Sequence, residues 1–172
     1  MGIVYRLRQL GSNLTAGPLS NEAWLEVTSV LTLAERELFG RLSFADQWHS
    51  YRVLRTLQNA GYNQPDLSAA ALLHDVGKTC YPLNAWDRTL IVVGGALFPD
   101  RAAKWGQGSP DGWRRPFVVR AMHPVWGADM VAAAGSRTGV VDLVLRHQDK
   151  AGDPKNGKDE LLRRLQWADD QN

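Results

Sequence analysis

Four histidines are spread along the chain, and helical spacing places the first of them, His49. Leu42 and Ala45 precede it by seven and four positions, and Val53 follows it by four. Residues at these intervals lie on one face of an α-helix, so the imidazole points where the apolar side chains point. Taken alone, an inward histidine is more often an ordinary core residue. Histidines and carboxylates that project from several helices into one space are instead candidate ligands of a divalent metal ion.

His147 and Asp169 also follow apolar residues at helical spacing, so both are expected to face inward. For Asp169 this orientation is informative, because an ionised carboxylate is rarely buried without a cation or strong hydrogen bonds. The neighbouring Asp170 falls outside the apolar face and is expected to be solvated. The apolar residues concerned are Val140, Leu143 and Val144 before His147, and Leu162 and Leu165 before Asp169.

His74 and Asp75 are adjacent at the end of an unusually apolar predicted helix. Neighbouring residues project about 100° apart around a helix axis, so both side chains can border one cavity and share a metal centre. The fourth histidine, His123, directly precedes Pro124 and is expected at a helix entrance, where the irregular backbone can aim it at a pocket. Helical spacing leaves its direction undetermined.

The order of these residues resembles the H…HD…D signature of the HD superfamily of metal-dependent phosphohydrolases: His49, then His74-Asp75, then Asp169. The resemblance extends from residue 43 to about residue 170. Its central string AALLHDVGK is similar to the core helix of the family, and the string Trp-Ala-Asp that ends at Asp169 resembles the closing helix. The resemblance implies a compact HD-domain-type helical bundle in which these four side chains bind one divalent metal ion.

His123 and His147 fall in the interval where two-metal members of the superfamily supply further histidines. Those members include HD-GYP phosphodiesterases and diiron oxygenases related to myo-inositol oxygenase. By this resemblance a two-metal centre has Asp75 as its bridging carboxylate. The segment after His147, QDKAGDPKNG, lacks the glycine-tyrosine-proline signature of the cyclic-dinucleotide group, which argues against hydrolysis of cyclic di-GMP. The full set of candidate ligands is His49, His74, Asp75, His123, His147 and Asp169.

Lys78 lies close after the histidine-aspartate pair and is the main candidate that is not a metal ligand. A divalent ion (Mn, Fe, Mg, Ni or Zn) held by imidazole and carboxylate lowers the pKa of bound water towards about 7 and polarises a phosphoryl oxygen. We expect Asp75 and Lys78 to be catalytic, Lys78 by stabilising negative charge on the phosphate. Its ammonium could instead contact carbonyls at a helix end. Arg88, Arg114 and Arg115 are candidates for binding the substrate phosphate, although the last two also fit a solvated loop.

The expected reaction is hydrolysis of a phosphomonoester or phosphodiester in a nucleotide or another small phosphorylated metabolite. A diiron oxygenase of the same superfamily is the first alternative, because it uses a similar set of histidines and aspartates. A non-catalytic HD-like module that senses a ligand or contacts a partner is the second. The string HDVGK with its lysine favours hydrolysis.

The elements that must position these residues are all predicted to be helices. No run of alternating polar and apolar residues indicates a strand, so the predicted fold class is all-α. Thr32 and Glu35 have the spacing of a capping box, and Gly61, Gly77 and Gly135 are good helix ends. A glycine- and proline-rich loop is expected at 105–116. The predicted helices begin near residue 21 and residue 32, and then cover about 43–61, 65–77, 124–134, 140–147 and 158–170.

The chain of 172 residues fits one domain, which we place at 20–172 after an N-terminal arm at 1–19. Its formal charge of +2 is too small to indicate a stable nucleic-acid partner or a basic membrane-binding surface. The one cysteine, Cys80, and the absence of a signal-peptide pattern favour a cytoplasmic location. The apolar run at 90–98 is far shorter than the roughly 20 residues that cross a bilayer, so it is expected in the core. A monomer and a homodimer are both compatible with the sequence.

Overall fold

A computed structural model describes residues 16–149 and 157–172, and within these ranges the chain is all-α. The described residues contain nine α-helices and two short 3-10 helices, and no strand occurs among them. The predicted fold class is therefore confirmed. The α-helices are α1 (Asn21–Val30), α2 (Leu33–Gly40), α3 (Phe44–Asn59), α4 (Pro65–Leu73), α5 (Ala85–Leu97), α6 (Pro99–Trp105), α7 (Arg115–Ala133), α8 (Thr138–Arg146) and α9 (Gly157–Asp170); the 3-10 helices are Val76–Cys80 and Gly112–Arg114.

Local side-chain chemistry sets several helix ends. Thr32 and Glu35 form the predicted capping box at the start of α2, each side chain binding a backbone N–H of the other residue. Ser43 caps α3 by accepting the backbone N–H of Asp46. After α3, Gly61 has a φ of 82°, a left-handed conformation that glycine adopts without strain.

Helix α4 forms the centre of the core. Every residue from Leu67 to Leu73 is buried, because α1, α2, α3, α8 and α9 all pack around this helix. A helix that is apolar on all sides is stable only in such a surrounding. The position of α4 matters for the site, because His74 and Asp75 follow directly at its C-terminal end. Fully buried residues of the surrounding helices include Phe39, Leu54, Leu57, Val144 and Leu165.

Helix α7 begins at Arg115, so the predicted helix start at Pro124 is wrong. Pro116 lies in the first turn, where its missing N–H breaks no helical hydrogen bond, and an apolar segment continues the helix from there. Pro124 lies inside the helix and removes one backbone hydrogen bond without ending it. His123 therefore lies in mid-helix with a direction fixed by α7, and not at a helix entrance.

The expectation that 90–98 is a core segment is also wrong. These residues lie mostly in α5, which exposes Val93 and Leu97 and buries Gly94 among the residues of this segment. The contact of α5 with α7 is made at Gly94, where an added Cβ would lie 2.7 Å from the Phe117 ring. Helices α5 and α6 thus form a pair on the surface of α7, and the apolar run lines a cleft there.

Part of the predicted arm at 1–19 lies outside the described residues, which begin at residue 16. Residues 16–20 are not helical, and the indole N–H of Trp48 on α3 donates to the Gly17 carbonyl at 3.0 Å. The predicted loop at 105–116 holds the short 3-10 helix Gly112–Arg114. Among the helices that the structure describes, none has the length and apolar character needed to cross a membrane.

Candidate metal centre

The fold brings all six candidate ligands to one place, although they come from five parts of the chain. His49 lies on α3 and Asp169 near the end of α9, whereas His123 lies in the middle of α7. His74 and His147 are the residues that end α4 and α8. The ligand atoms fall into two groups, and within each group they all lie within 4.8 Å of one another. The first group is His49, His74 and Asp169, and the second is Asp75, His123 and His147.

The first group is partly open to solvent. Nε2 of His49 lies 2.8 Å from Oδ1 of Asp169, and Nε2 of His74 lies 3.5 Å from the same oxygen. His74 is buried, whereas the side chains of His49 and Asp169 are 20% and 38% exposed. Solvent and small solutes can therefore reach this group over His49 and Asp169.

The second group is buried, and Asp75 joins it to the first. Oδ1 of Asp75 lies 3.3 Å from Nε2 of His123 and 4.0 Å from Nε2 of His147. The other oxygen, Oδ2, lies 3.6 Å from Nε2 of His74 in the first group. The two oxygens of one carboxylate thus face the two groups.

Three of the histidines have their orientation fixed by the backbone. The Nδ1 atoms of His74, His123 and His147 lie 3.0, 3.0 and 2.7 Å from carbonyl oxygens of the preceding helical turn. A carbonyl only accepts, so each Nδ1 carries the proton and each Nε2 is turned to the centre. Such a contact is the usual support of a histidine that ligates a metal. The carbonyls belong to Ala71, Val119 and Val144, respectively.

Two features of these nitrogens fit a bound cation. Nε2 of His74 is buried and has no hydrogen-bond partner among the described residues. Nε2 of His123 lies 3.1 Å from Nε2 of His147, so two lone pairs face each other when both rings are neutral. Ligand atoms about 2.1 Å from one ion lie about 3.0 Å apart at a right angle and about 3.4 Å apart in a tetrahedral site. Most of the separations in both groups are close to these values, and the cluster can hold a metal ion.

The electrostatics of the cluster favour charged carboxylates. Burial opposes ionisation of Asp75, but Lys78 and His74 outweigh it and keep the pKa of Asp75 well below its usual range. Burial likewise opposes ionisation of Asp169, but contacts from His49 and His74 lower its pKa. The negative charges of Asp75 and Asp169 raise the pKa of His74 to about 9 against the effect of burial. A cation in the centre would take the place of that proton.

The pKa of His147 is shifted in the opposite direction to that of His74. Burial lowers its pKa, and the nearby positive charge of His74 lowers it further, to about 3. This imidazole is therefore neutral near pH 7, which is the form in which histidine binds a metal.

Close backbone packing positions the histidine-aspartate pair. The 3-10 helix Val76–Cys80 lies against the middle of α7, and a Cβ added to Gly77 would lie only 2.0 Å from the carbonyl oxygen of His123. The same Cβ would lie 2.6 Å from the backbone nitrogen of Gly127. Only glycine at position 77 allows this approach, which brings Asp75 within reach of His123. The sequence predicted Gly77 as a helix end and gave no signal of this contact.

Lys78 and Arg88 lie on one side of the centre. Nζ of Lys78 donates to Oδ2 of Asp75 at 2.5 Å, and this contact with Asp75 raises the pKa of Lys78 despite burial. Arg88 forms a two-pronged pair with Asp46, with N–O distances of 2.9 and 3.1 Å. Lys78, Arg88, Asp46 and Arg41 line one small cavity of about 70 Å³. Two of the predicted substrate-binding residues are thus neighbours.

Arg114 and Arg115 have other contacts. The guanidinium of Arg114 lies over the Trp113 ring, 5.4 Å from its centroid. Arg115 donates to Asp87 at 2.6 Å, at the N-terminal end of α5. The structure does not bring these two arginines together with Lys78 and Arg88 in the small cavity.

Gln148 is a residue of the site that the sequence did not single out. Its side-chain nitrogen lies 3.4 Å from Nε2 of His123, and the residue directly follows His147. A polar side chain next to a candidate ligand at a helix end was the available signal.

Comparison with models of known protein families, with curated proteins and with solved structures finds no match to the chain, so its function is inferred from the residues of the site.

Proposed function

We propose that the chain is a metal-dependent phosphohydrolase of the HD type that cleaves a phosphate ester of a small molecule. The observation that carries the proposal is the arrangement of six inward ligands in two adjoining groups that share Asp75, with Lys78 paired to the shared carboxylate. The HD-like order of these ligands along the chain supports the same reaction class.

His49, His74 and Asp169 would hold one divalent ion, and Asp75, His123 and His147 a second. When bound, a divalent ion lowers the pKa of water towards about 7 and polarises a phosphoryl oxygen. Four imidazoles and two carboxylates favour Mn, Fe, Ni or Zn over Mg, which prefers ligands that are all oxygen. Asp75 orients both groups through its two oxygens.

Lys78 supplies positive charge beside the shared carboxylate. Its ammonium stays charged near pH 7 because its pKa is raised, and it lies in the small cavity with Arg88 and Arg41. The three cations and the two carboxylates Asp46 and Asp75 leave this corner with one excess positive charge. Such a corner attracts a phosphate and stabilises the negative charge that develops as the ester bond breaks.

The first test is metal content together with phosphate release. Protein purified without chelator is expected to carry one or two divalent ions per chain and to release phosphate from some members of a panel of phosphomonoesters and phosphodiesters. His74→Ala and Asp75→Asn are expected to lose both properties, because each removes a buried ligand.

Two neighbouring carboxylates on α9 offer a matched comparison. Asp169→Asn is expected to lower metal affinity and turnover by at least tenfold, because it removes a charged ligand of the first group. Asp170→Asn makes the same chemical change at an exposed position and is expected to behave as the wild type. Equal activity of the two variants would contradict the proposed centre. Oxygen uptake by the ferrous protein without phosphate release would contradict hydrolysis and indicate an oxygenase reaction instead.

A further inference from the structure

A second cavity, much larger than the one beside Lys78, lies between the α5–α6 pair and α7. Its volume is about 640 Å³, within the range of roughly 300–1,000 Å³ typical of sites for small organic ligands. Its walls come from one face each of α5, α6 and α7. We call it the α5–α7 cleft.

Gln148 joins the cleft to the metal centre. The residue lines the cleft, and its side-chain nitrogen lies 3.4 Å from Nε2 of His123. Phe117, Arg120 and Ala121 on α7 line the same cleft, and Arg120 lies one helical turn before His123. Gln148 is therefore the residue through which the cleft adjoins the buried second ligand group.

Arg120 is the positively charged residue in the lining of the cleft. Its Nη1 lies 3.0 Å from the point where a Cβ on Gly95 would be, so the guanidinium extends from α7 to α5 across a position without a side chain. Among the described residues, no carboxylate lies within ion-pair distance of Arg120, unlike Arg88 and Arg115, which are both paired. The guanidinium is thus available to an anion.

The rest of the lining is apolar and small. Arg120 and Gln148 are the polar side chains in it, and the other residues are aliphatic, aromatic, proline or glycine. A ribose or a nucleobase would leave several hydrogen-bonding groups without side-chain partners on such walls, which is unfavourable. An apolar group loses no hydrogen bonds there, and its removal from water is favourable.

We propose that the α5–α7 cleft binds the apolar organic group, aryl or branched alkyl, of a phosphate monoester, with Arg120 contacting the phosphate. This inference rests on the proposed phosphohydrolase function and narrows its substrate class away from nucleotides. The apolar group lies along Phe117 and the small residues of α5 and α6. The phosphate lies between Arg120 and the second ligand group, on the side of Gln148, and Lys78 faces the same group through its contact with Asp75.

The test uses two phosphonates, which cannot be hydrolysed as esters are. Benzylphosphonate carries an apolar ring and methylphosphonate does not, so the ratio of their dissociation constants measures the contribution of the cleft. We expect calorimetric titration of the protein as purified to give a ratio of about ten in favour of benzylphosphonate. A ratio near one for the wild type would overturn the proposal.

Variants that fill the α5–α7 cleft test whether the preference for benzylphosphonate arises there. Ala96 and Ala103 line the cleft and are exposed, so the double variant Ala96→Phe/Ala103→Phe fills it without disturbing the core. This variant is expected to lose the preference for benzylphosphonate, whereas Ala132→Phe/Ala133→Phe, on exposed positions of α7 outside the cleft, is expected to keep it. Retention of the preference in the filled variant would place the ring elsewhere.

Arg120→Ala tests the charge. It is expected to weaken benzylphosphonate binding about tenfold and to leave the metal content unchanged. Arg101→Ala, which removes an exposed arginine of α6 outside the lining, is the charge-matched control. Equal binding by both variants would overturn the role of Arg120.

The two proposals fail in different ways. A protein that binds benzylphosphonate through the cleft but releases phosphate from no ester contradicts the hydrolase reaction and leaves the cleft in place. A protein that hydrolyses small polar esters and aryl esters equally, with unchanged kcat/KM in the filled variant, contradicts the cleft alone.

Discussion

At the scale of single residues, the proposed chemistry depends on which groups would hold a metal and which would only supply charge. Lys78 belongs to the second kind, since its ammonium pairs with Asp75 and also feels the negative charge of Asp46. Removal of this positive charge leaves the buried Asp75 with less compensation. Under the proposed function, a cation bound by Asp75 then becomes more favourable, whereas charge developing on a phosphate is less stabilised.

Lys78→Met is therefore expected to retain metal and to lower kcat about 100-fold. Metal per chain and phosphate release from the best ester of the panel measure the two properties separately. Lys78→Arg, which keeps the charge, is the control and should recover part of the rate. Wild-type turnover in Lys78→Met would reduce Lys78 to a structural partner of Asp75.

The inward position of most candidate ligands could be predicted at this scale, for reasons that differ between residues. Helical spacing separated Asp169 from Asp170, and the structure places the first beside His49 and exposes the second. His123 could not be oriented, because Pro124 indicated a helix start and hid the turn that aims the ring. The sequence did not indicate Arg120 as a binding residue. Its proposed role depends on Gly95 in another helix, which has no side chain to block the guanidinium.

At the scale of elements, the contact between the 3-10 helix Val76–Cys80 and α7 sets the spacing of the second ligand group. Gly77→Ala places a Cβ 2.0 Å from the His123 carbonyl oxygen. Neither atom can move away by a side-chain rotation, because the backbone sets the position of each. We expect a loss of about 3 kcal/mol in the free energy of unfolding, together with weaker metal binding.

Gly40→Ala is the matched control for Gly77→Ala, because nothing lies within 4 Å of its added Cβ at the end of α2. It is expected to change stability by less than about 1 kcal/mol. Urea denaturation and metal titration of both variants test the comparison. Two variants of equal stability would show that the elements can separate freely at Gly77.

Glu35 links α2 to the turn between α7 and α8, because its carboxylate accepts from Ser136 Oγ at 2.6 Å as well as from Thr32. Burial opposes its charge, but these hydrogen bonds outweigh burial and lower the pKa of Glu35 below the ordinary value of 4.5. A carboxyl whose pKa is lower in the folded state stabilises the fold above the unfolded-state pKa, and this contribution is lost as pH falls through the folded-state pKa.

Glu35→Gln is therefore expected to be less stable than the wild type at pH 7 by about 1–2 kcal/mol, with a smaller difference in acid below pH 4.5. Thermal unfolding from pH 7 to pH 3 measures this difference. The matched control is Glu37→Gln, an exposed position of the same helix. A difference that stays constant across the pH range would mean that the charge of Glu35 has no part in the link.

The element scale also marks the limit of prediction from sequence. Hydrophobic period and capping residues predicted helices such as α3 and α8 to within a few positions, but they indicated no helix at α5 or α6 and placed the start of α7 nine residues late. The apolar run at 90–98 was assigned to the core because composition does not reveal that α5 packs through one face on α7. How much of α5 is buried depends on the helices that pack against it, and contacts with residues distant in sequence cannot be read from the α5 segment alone.

At the scale of the whole molecule, the centre ties five parts of the chain together, so a metal ion should stabilise the fold. An ion that binds only the folded state adds about 2.7 kcal/mol at a concentration 100 times its Kd. For a chain of this size that corresponds to a rise in Tm of roughly 5–10 °C. Thermal unfolding in Mn²⁺ and in a chelator measures the shift. The double variant His74→Ala/Asp75→Asn should show none, and an equal shift there would place the ion at another site.

The C-terminal contact of α9 with α3 has a consequence for the order of folding. The side chain of Asn172 donates to Thr56 across 116 positions, and Asp169 meets His49 at the same junction. Contacts between such distant segments close a long loop, so we expect them to form late, after the local helices around α4 have collapsed. The first ligand group is then incomplete in the rate-limiting barrier. A bound ion should slow the unfolding rate and leave the refolding rate nearly unchanged, so that its benefit to the chain is persistence of the native state.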